Sequence, residues 1–536
     1  MKLPTGKKMS EIDKETSQTY SFPSLLLMEN AGRGITDALL QDFPEIAHQP
    51  PVILAGGGNN GGDAFVIARQ LFFRGICSIV VFAGKEDKLK GDARINYDLH
   101  RSLNLPEKGV PVISVALPEE WDDVREIVFG AQYLIDGLFG TGFEGKPEGI
   151  YREIIESVNQ DYHGIVLAID VPSGLICDAV MQNDCILRAE KTYTIGLPKL
   201  GMQDYPGKDY TGDVEIIHIG FPQELLESET ICTEIITLED AAKLKPLRMP
   251  HSHKGDYGHV CVIAGSAHYP GAAHLASLAA FRSGAGLVTL ASTDKVCQSI
   301  KSGDNEIIFF PFHTVTIENG SLKEDALQKK EIGLECITAE HFHQLQPFLN
   351  NYSVCLMGPG MGNAAETLEF VKVFIEQYKG NLILDASALD VLQKYPDILK
   401  NLKKTPVITP HIGEFARLTG KSIENIKNNK LQYALHFAQD NHVILVLKDA
   451  VTLVTDGETA YFNTTGNAGL ARGGSGDVLA GIIAAMVARK LPPLQAALFS
   501  VFLHGYIADI LCEEYCEEGI YPSLIIDNIY KGFLAL

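Results

Sequence analysis

The apolar positions of the chain fall in short unbroken runs, each ended by glycine or by a polar side chain. PVILA (51–55), CSIVVFAG (77–84), the start of AQYLIDGLFGTGFEG (131–145) and the start of GIVLAIDVPSGL (164–175) are the runs of the first half. HVCVIAGS (259–266), YSVCLMGPGMG (352–362), NLILDASALD (381–390), PVITPHIGEFARLTG (406–420) and HVILVLKDAVTLVTDG (442–457) open on the runs of the second. Continuous apolarity over so few residues marks strands buried on both faces, the habit of parallel sheets covered by helices. Helical spacing lies between them in SLLLMENAGRG (24–34), which stops at glycine, in AFVIARQLFFRG (64–75), closed by Gly75, and in YPGAAHLASLAAFRSGAGLVTLAS (269–292), a helix followed by a strand. The pattern predicts an α/β chain whose first half is a Rossmann-like, doubly wound sheet. The two halves share no motif, so they are not an internal repeat.

One helix is singled out by its approach. In GNAGLARGGSGDVLAGIIAAMVAR (466–489), Val478, Leu479, Ile482, Ile483, Met486 and Val487 have the spacing of a buried face. Gly473, Gly474 and Gly476 remove side chains where the backbone turns into the helix, and Asp477 stands at its mouth. The first turn of a helix leaves N–H groups unpaired and carries partial positive charge, so it binds phosphate readily. Asp477 is then either a simple cap or a base held beside a bound anion; three glycines in the four preceding positions favour the base.

Length and composition narrow the field. At 536 residues the chain exceeds one core, and at 46% hydrophobic and 21% charged it has an ordinary globular balance. A formal charge of −22 argues against nucleic acid as a partner. The segment MKLPTGKKMSEIDKE carries no apolar run behind its basic residues, and apolar runs such as 478–488 are short for a membrane span. Ten scattered cysteines without a CxxC pair point to reduced thiols and a cytoplasmic protein.

Polar residues cluster where strands end. GGGNNGGD (56–63) follows the first strand as a tight loop, and its Gly56, Gly58 and Gly61 satisfy G-x-G-x-x-G. A dinucleotide-binding turn needs an acid at the end of the second strand, where this chain has Gly84 and Lys85. Asn59, Asn60 and Asp63 instead suit a hard cation or a sugar phosphate, unless the asparagines merely adopt left-handed turn geometry. Asp136 and Asp170 end two further strands, and Ser173 follows in a Pro172–Gly174 turn; Asn60, Asp136, Asp170 and Ser173 should converge at one crevice. In the second half Asp385, His411 and Lys448 sit at strand ends, whereas His251 and His253 lie in a stretch that reads as a solvated linker.

LMENAGRG, GGGNNGGD, DGLFGTGF and DVPSGL, in that order, closely resemble the epimerase domain of the NAD(P)H-hydrate repair proteins. HKGDYG, GAAHLASLAAFRSGAGLVT, GPGMG, TPHIGEFARL and GGSGDVLAGI resemble the ADP-dependent (S)-NAD(P)H-hydrate dehydratase domain, which has the ribokinase-like fold. The resemblance implies an epimerase domain over 1–228 and a dehydratase domain over 229–536. It implies that Asn59, Asn60, Gly61, Gly62 and Asp63, the loop Gly140, Thr141, Gly142, Phe143, Glu144, Gly145 and Lys146, and Asp170 bind the hydrated dinucleotide. It further implies K+ held by Asn60, Asp136 and Ser173, with Asp136 and Asp170 carrying the epimerase chemistry. In the dehydratase it implies that Ala285, Gly362, His411 and Asp477 contact the hydrate. Lys448, Asp449, Ala450, Val451 and Thr452, with Gly473, Gly474, Ser475 and Gly476, would hold the adenine nucleotide.

This chain departs from the family at Ala64, where the motif continues with glycine, at Ser387, where Asp is frequent, at Asp449, where Gly is commoner, and at Ser475, where Thr is common. The implied function is epimerisation of R- and S-NAD(P)H hydrates and ADP-dependent dehydration of the S form, with Asp477 as catalytic base, Mg2+ on the phosphates and AMP and phosphate released. Related proteins assemble as homo-oligomers. Two rivals are a ribokinase-like sugar or vitamin kinase with an accessory nucleotide-binding domain, which leaves the NNGGD, GTGF and VPSG motifs unexplained, and a non-catalytic nucleotide sensor.

Overall fold

The computed structural model describes residues 1–103, 111–178, 183–301, 305–313, 317–318, 321–322 and 336–536. The chain forms two compact units, Met1–Thr233 and Glu234–Leu536, dividing a few residues beyond position 228.

The first unit is built on seven strands: β1 (Val52–Ala55), β2 (Ile79–Ala83), β3 (Val112–Val115), β4 (Tyr133–Gly137), β5 (Ile165–Ile169), β6 (Lys191–Ile195) and β7 (Asp213–Ile217). They lie in the order β3-β2-β1-β4-β5-β6-β7, all parallel. Chain progression reverses between β1 and β4, so the loops leaving their carboxyl ends diverge and open a crevice there. Apolar layers cover both faces of the sheet, as the uninterrupted strand sequences require.

Two local expectations are corrected. The helix that starts at Ser24 does not stop at its glycines but runs to Asp42. A Cβ at Gly32 would stand 2.4 Å from Val66, and one at Gly34 2.7 Å from Ile217, so these glycines admit close packing rather than end the helix. The loop after β1 is only Gly56–Gly58, because the helix Asn59–Phe73 begins at the asparagines themselves. Neither asparagine has positive φ, which removes the left-handed reading. The three backbone segments interlock: a Cβ at Gly56 would meet the Leu138 carbonyl at 1.9 Å, and one at Gly61 the Gly56 carbonyl at 1.8 Å.

The second unit carries a ten-stranded sheet. Its members in chain order are β8 (Thr233–Ile235), β9 (His259–Ile263), β10 (Leu287–Thr293) and β11 (Ile308–Phe312), then, beyond a small separate hairpin β12 (Ile317–Glu318) and β13 (Ser321–Leu322), β14 (Val354–Met357), β15 (Asn381–Leu384), β16 (Val407–Ile408), β17 (Ile444–Leu447), β18 (Thr452–Thr455) and β19 (Ala460–Asn463). The order is β11-β10-β9-β14-β15-β16-β17-β18-β19-β8. Strands β11 through β17 are parallel and β17, β18 and β19 are antiparallel, with the reversal of progression between β9 and β14.

The helix Ser475–Ala488 lies within the core of this unit, against Pro270–Arg282 and Pro493–Tyr515. Every residue from Val478 to Ala488 is buried, so the expected single apolar face is in fact a fully enclosed helix. Gly481 permits this, since a Cβ there would stand 2.3 Å from the Ala276 carbonyl. The helix Pro493–Tyr515 is long and apolar enough to cross a bilayer by composition, a feature absent from the sequence reading, but most of its residues are buried in the same core.

Candidate active sites

In the first unit a cleft of about 780 Å³ opens at the carboxyl ends of β1 and β4. Asn59, Asn60, Asp63, Gly140, Thr141, Gly142, Phe143, Glu144 and Asp170 line it. Gly61 and Gly62 do not: they face the Gly56 carbonyl and Met28, and their role is packing. Gly145 and Lys146 lie outside the lining on an exposed stretch, where the Gly145 carbonyl accepts a hydrogen bond from Asn183 at 2.8 Å.

Behind the cleft, Asn60, Asp136 and Ser173 converge. Asp136 Oδ1 accepts from Ser173 Oγ at 2.6 Å and from Leu138 N at 3.2 Å, and Oδ2 accepts from Ser173 N at 2.7 Å. The Asn60 amide donates to the carbonyls of Phe139 (2.7 Å) and Ile169 (3.1 Å), tying β4 to β5. Asp136 is 0% exposed, and burial pushes its carboxyl up to about 6 against the pull of the Ser173 and Leu138 hydrogen bonds. The methyl of Ala64, the first departure from the family motif, is accommodated because position 137 is glycine: a Cβ there would stand 2.8 Å from it.

Asp170 differs from Asp136 in its partner. It pairs with Lys199, which is 1% exposed and also donates to Thr194 Oγ1 (2.8 Å) and the Ile195 carbonyl (2.9 Å). The residue sits at φ +64°, an unfavourable backbone for a non-glycine side chain, held by its link to Lys199 and by the Ile195 N–H at 3.1 Å.

In the second unit the strand ends of β15, β16 and β17 form one buried network. Lys448 Nζ donates to Asp385 Oδ1 at 2.7 Å, and Thr409 Oγ1 donates to the same oxygen at 2.7 Å. Burial alone would lower the Lys448 ammonium, but Asp385, Glu414 and Asp477 outweigh it and leave it raised. A Cβ at Gly476 would stand 3.2 Å from Lys448 Nζ, which brings this ammonium against the first turn of Ser475–Ala488.

Asp477 is in that turn. Burial lifts its carboxyl to about 7, with Asp385 and Glu414 adding and Lys448 opposing. Gly474, at φ +100°, makes the turn into the helix, and space beside Gly473 is open. His504 lies near Lys448, fully buried and held near 4 by burial, hence neutral.

His411 caps the helix Ile412–Thr419, its Nδ1 accepting from Gly413 N at 3.0 Å, while Glu414 returns a bond to His411 N at 2.8 Å. Its ring is more than half exposed and so open to a ligand at this edge. Gly362, at φ +78°, lies beyond β14 on the same carboxyl edge. Ala285 does not join this group. It precedes β10 at the amino edge of the sheet, where Ser283 accepts from Arg489 at 3.1 Å. Arg489 ends the helix that Asp477 begins, a span of roughly 20 Å at 1.5 Å per residue.

Comparison with known proteins gives both halves a place. The profile described as YjeF-related protein N-terminus matches residues 24–201, and that of NAD(P)H-hydrate dehydratase matches 260–531. The bifunctional NAD(P)H-hydrate repair enzyme of Moorella thermoacetica is 33% identical over 98% of this chain and 96% of its own length. The chain belongs to the bifunctional NAD(P)H-hydrate repair family. Its relative in Thermofilum pendens is 31% identical over 100% of this chain and 97% of that one. Among solved structures, the ADP/ATP-dependent NAD(P)H-hydrate dehydratase of Bacillus subtilis, co-crystallised with ATP and Mg2+, is 28% identical and covers 56% of this chain and 98% of that chain, with a TM-score of 0.45.

Within this member of the repair family, sequence reasoning missed two lysines. Lys199 is buried against Asp170, and Lys430, also 1% exposed, binds the Asp449 carboxylate (3.1 Å) and the Val451 carbonyl (2.6 Å). Lys430 thereby braces Lys448–Thr452, in which Val451 is wholly buried. Neither lysine belongs to a motif, and only tertiary structure brings them to their carboxylates.

Proposed function

We propose that the second unit dehydrates the S form of hydrated NADH or NADPH at the expense of ADP, and that the first interconverts the R and S forms. The observation that carries this reading is Asp477: a carboxylate at a helix mouth, under an open glycine turn, beside the half-buried Lys448 ammonium, and accepting no hydrogen bond among the described residues. Hydroxide is a poor leaving group. Asp477 takes the proton of the ring hydroxyl as the β-phosphoryl of ADP passes to that oxygen, and the N–H groups of 473–476 with Lys448 stabilise the charge on the moving phosphoryl. The ring nitrogen lone pair then expels phosphate, and loss of a proton from the adjacent carbon restores the double bond. AMP and phosphate are the other products.

Mg2+ arrives with the nucleotide phosphates, whose charge it neutralises; no cluster of three or more acids, histidines or cysteines gathers among the described residues to hold it alone. A potassium ion fits the other unit. Asp136 is wholly buried without a cationic partner among the described residues, and Ser173 and Asn60 add neutral oxygens, a donor set for a hard monovalent ion. Bound there, K+ would compensate the buried charge of Asp136. Cytoplasmic residence accords with ten unpaired cysteines, and the same reading includes homo-oligomeric assembly, which light scattering would test.

The decisive experiment supplies purified protein with an R/S mixture of the hydrates, K+, Mg2+ and ADP or ATP, and follows NADH absorbance. Complete recovery with ADP is expected. Recovery that stalls when the S form is spent refutes the epimerase, and no recovery with either nucleotide refutes the whole reading in favour of a small-molecule kinase.

A further inference from the structure

We propose that Asp63 is the proton donor and Asp170, fixed by Lys199, the proton acceptor when the first unit inverts the hydroxyl-bearing carbon of the hydrate. The inference rests on the epimerase reading above and assigns the division of labour within it. Two carboxylates line the same cleft in opposite surroundings. Asp170 has its countercharge in Lys199, an ion pair on the cleft wall whose ammonium is tied to the Ile195 carbonyl of β6. Asp63 has none. It is 7% exposed, faces the cleft, and neither gives nor receives a hydrogen bond or ion pair through its side chain among the described residues.

The other charged groups on the lining are Asp170, Asp13 and Lys14 from Gly6–Thr19, Asp92 from Gly91–Ser102, Glu144 and Lys199. Burial first, and then Asp170 and Asp13, hold Asp63 well above the ordinary carboxylate range. Asp63 is thus biased towards its acid form while Asp170 has an ammonium beside it, the arrangement that separates donor from acceptor.

The step balances without a further reagent. The Asp63 carboxyl protonates the C6 hydroxyl; the C6–O bond breaks as the N1 lone pair forms C6=N1+, and water leaves. A second water attacks C6 from the opposite face, its proton passing to the Asp170 carboxylate. The reverse inversion uses the two acids in exchanged roles, so each direction resets the other. Lys199 touches no reacting atom; it is a positioning residue.

The test uses the full chain with the pure R hydrate, K+ and no nucleotide. Asp63→Asn is expected to slow inversion by about 100-fold or more, with dehydration of the S hydrate in the same preparation within twofold of wild type. Inversion within threefold of wild type overturns the assignment. Lys199→Met is expected to shift the pH profile of inversion while Asp63→Asn lowers it throughout; an unchanged profile refutes the positioning role. Should the variants fold poorly, the wild type decides alone in H2(18)O: one solvent oxygen is expected at C6 per inversion, and inversion without label overturns the mechanism. A wild type that neither inverts nor dehydrates the hydrates overturns the underlying reading as well, and is distinguished by that double loss.

Discussion

Replacing Asp477 by asparagine should abolish dehydration and make the second unit more stable. The carboxyl rises from an ordinary 3.8 to about 7 in the folded chain. At 1.36 kcal/mol for each tenfold change in acidity, holding it ionised in place costs about 4 kcal/mol, reduced to about 2–4 kcal/mol by water at the open glycine turn. Asparagine is the same size and forfeits no hydrogen bond, since none reaches the carboxylate among the described residues. The sign follows from linkage. Folding binds the proton more tightly, so stability is complete below pH 3.8, is lost as pH rises towards 7, and is level above that. The variant should therefore melt about 5–10 °C higher than wild type at pH 8 and nearly together with it at pH 4.5. Scanning calorimetry at both values, with the transition of the second unit followed by added ADP, makes the comparison. A variant that melts at or below wild type at pH 8 would refute the burial cost, and one that also kept its turnover would remove Asp477 from the chemistry.

The same carboxylate must be ionised to act as base, so kcat/KM for dehydration should fall about tenfold per pH unit below pH 7; a flat profile from pH 5.5 to 8 would contradict it. Lys448→Met strips Asp385 of its ammonium and leaves that carboxylate buried with Thr409 alone, a loss of about 3–5 kcal/mol. Urea denaturation should show that loss, and the KM for ADP should rise more than that for the hydrate. Gly32→Ala forces a methyl to 2.4 Å from Val66 and should cost the first unit about 1–3 kcal/mol, read as a lowered melting point.

What could be read in advance was what depends on short stretches of chain. Apolar runs ending in Asp136, Asp170, Asp385 and Thr409 located strand ends, and in a parallel sheet all strand ends of one polarity share an edge, so convergence followed from topology. Three kinds of feature escaped. Glycines at 32 and 34 look like helix stops in one dimension, and only the neighbouring Val66 and Ile217 reveal them as contact points. The buried lysines 199 and 430 are indistinguishable from surface lysines until a carboxylate arrives from elsewhere in the chain. Ala285 carries a family expectation to the far end of the helix from Asp477, because a motif records order along the chain and not the edge of the sheet on which a residue comes to rest.

The interlock of Gly56, Gly61 and Leu138 also limits how this cleft can diversify. Beneath its lining, main chain packs against main chain, with no space for even a methyl group between the segments. A mould made of backbone keeps its width when side chains change, so amino-acid replacement cannot gradually widen or narrow the slot. Diversification is left to the rim, where Phe139 stacks on Phe143 at 4.3 Å and lies tilted against Tyr151 at 4.6 Å. Descendants of this chain could retune what they grip at the mouth while inheriting an unchanged gauge at the base.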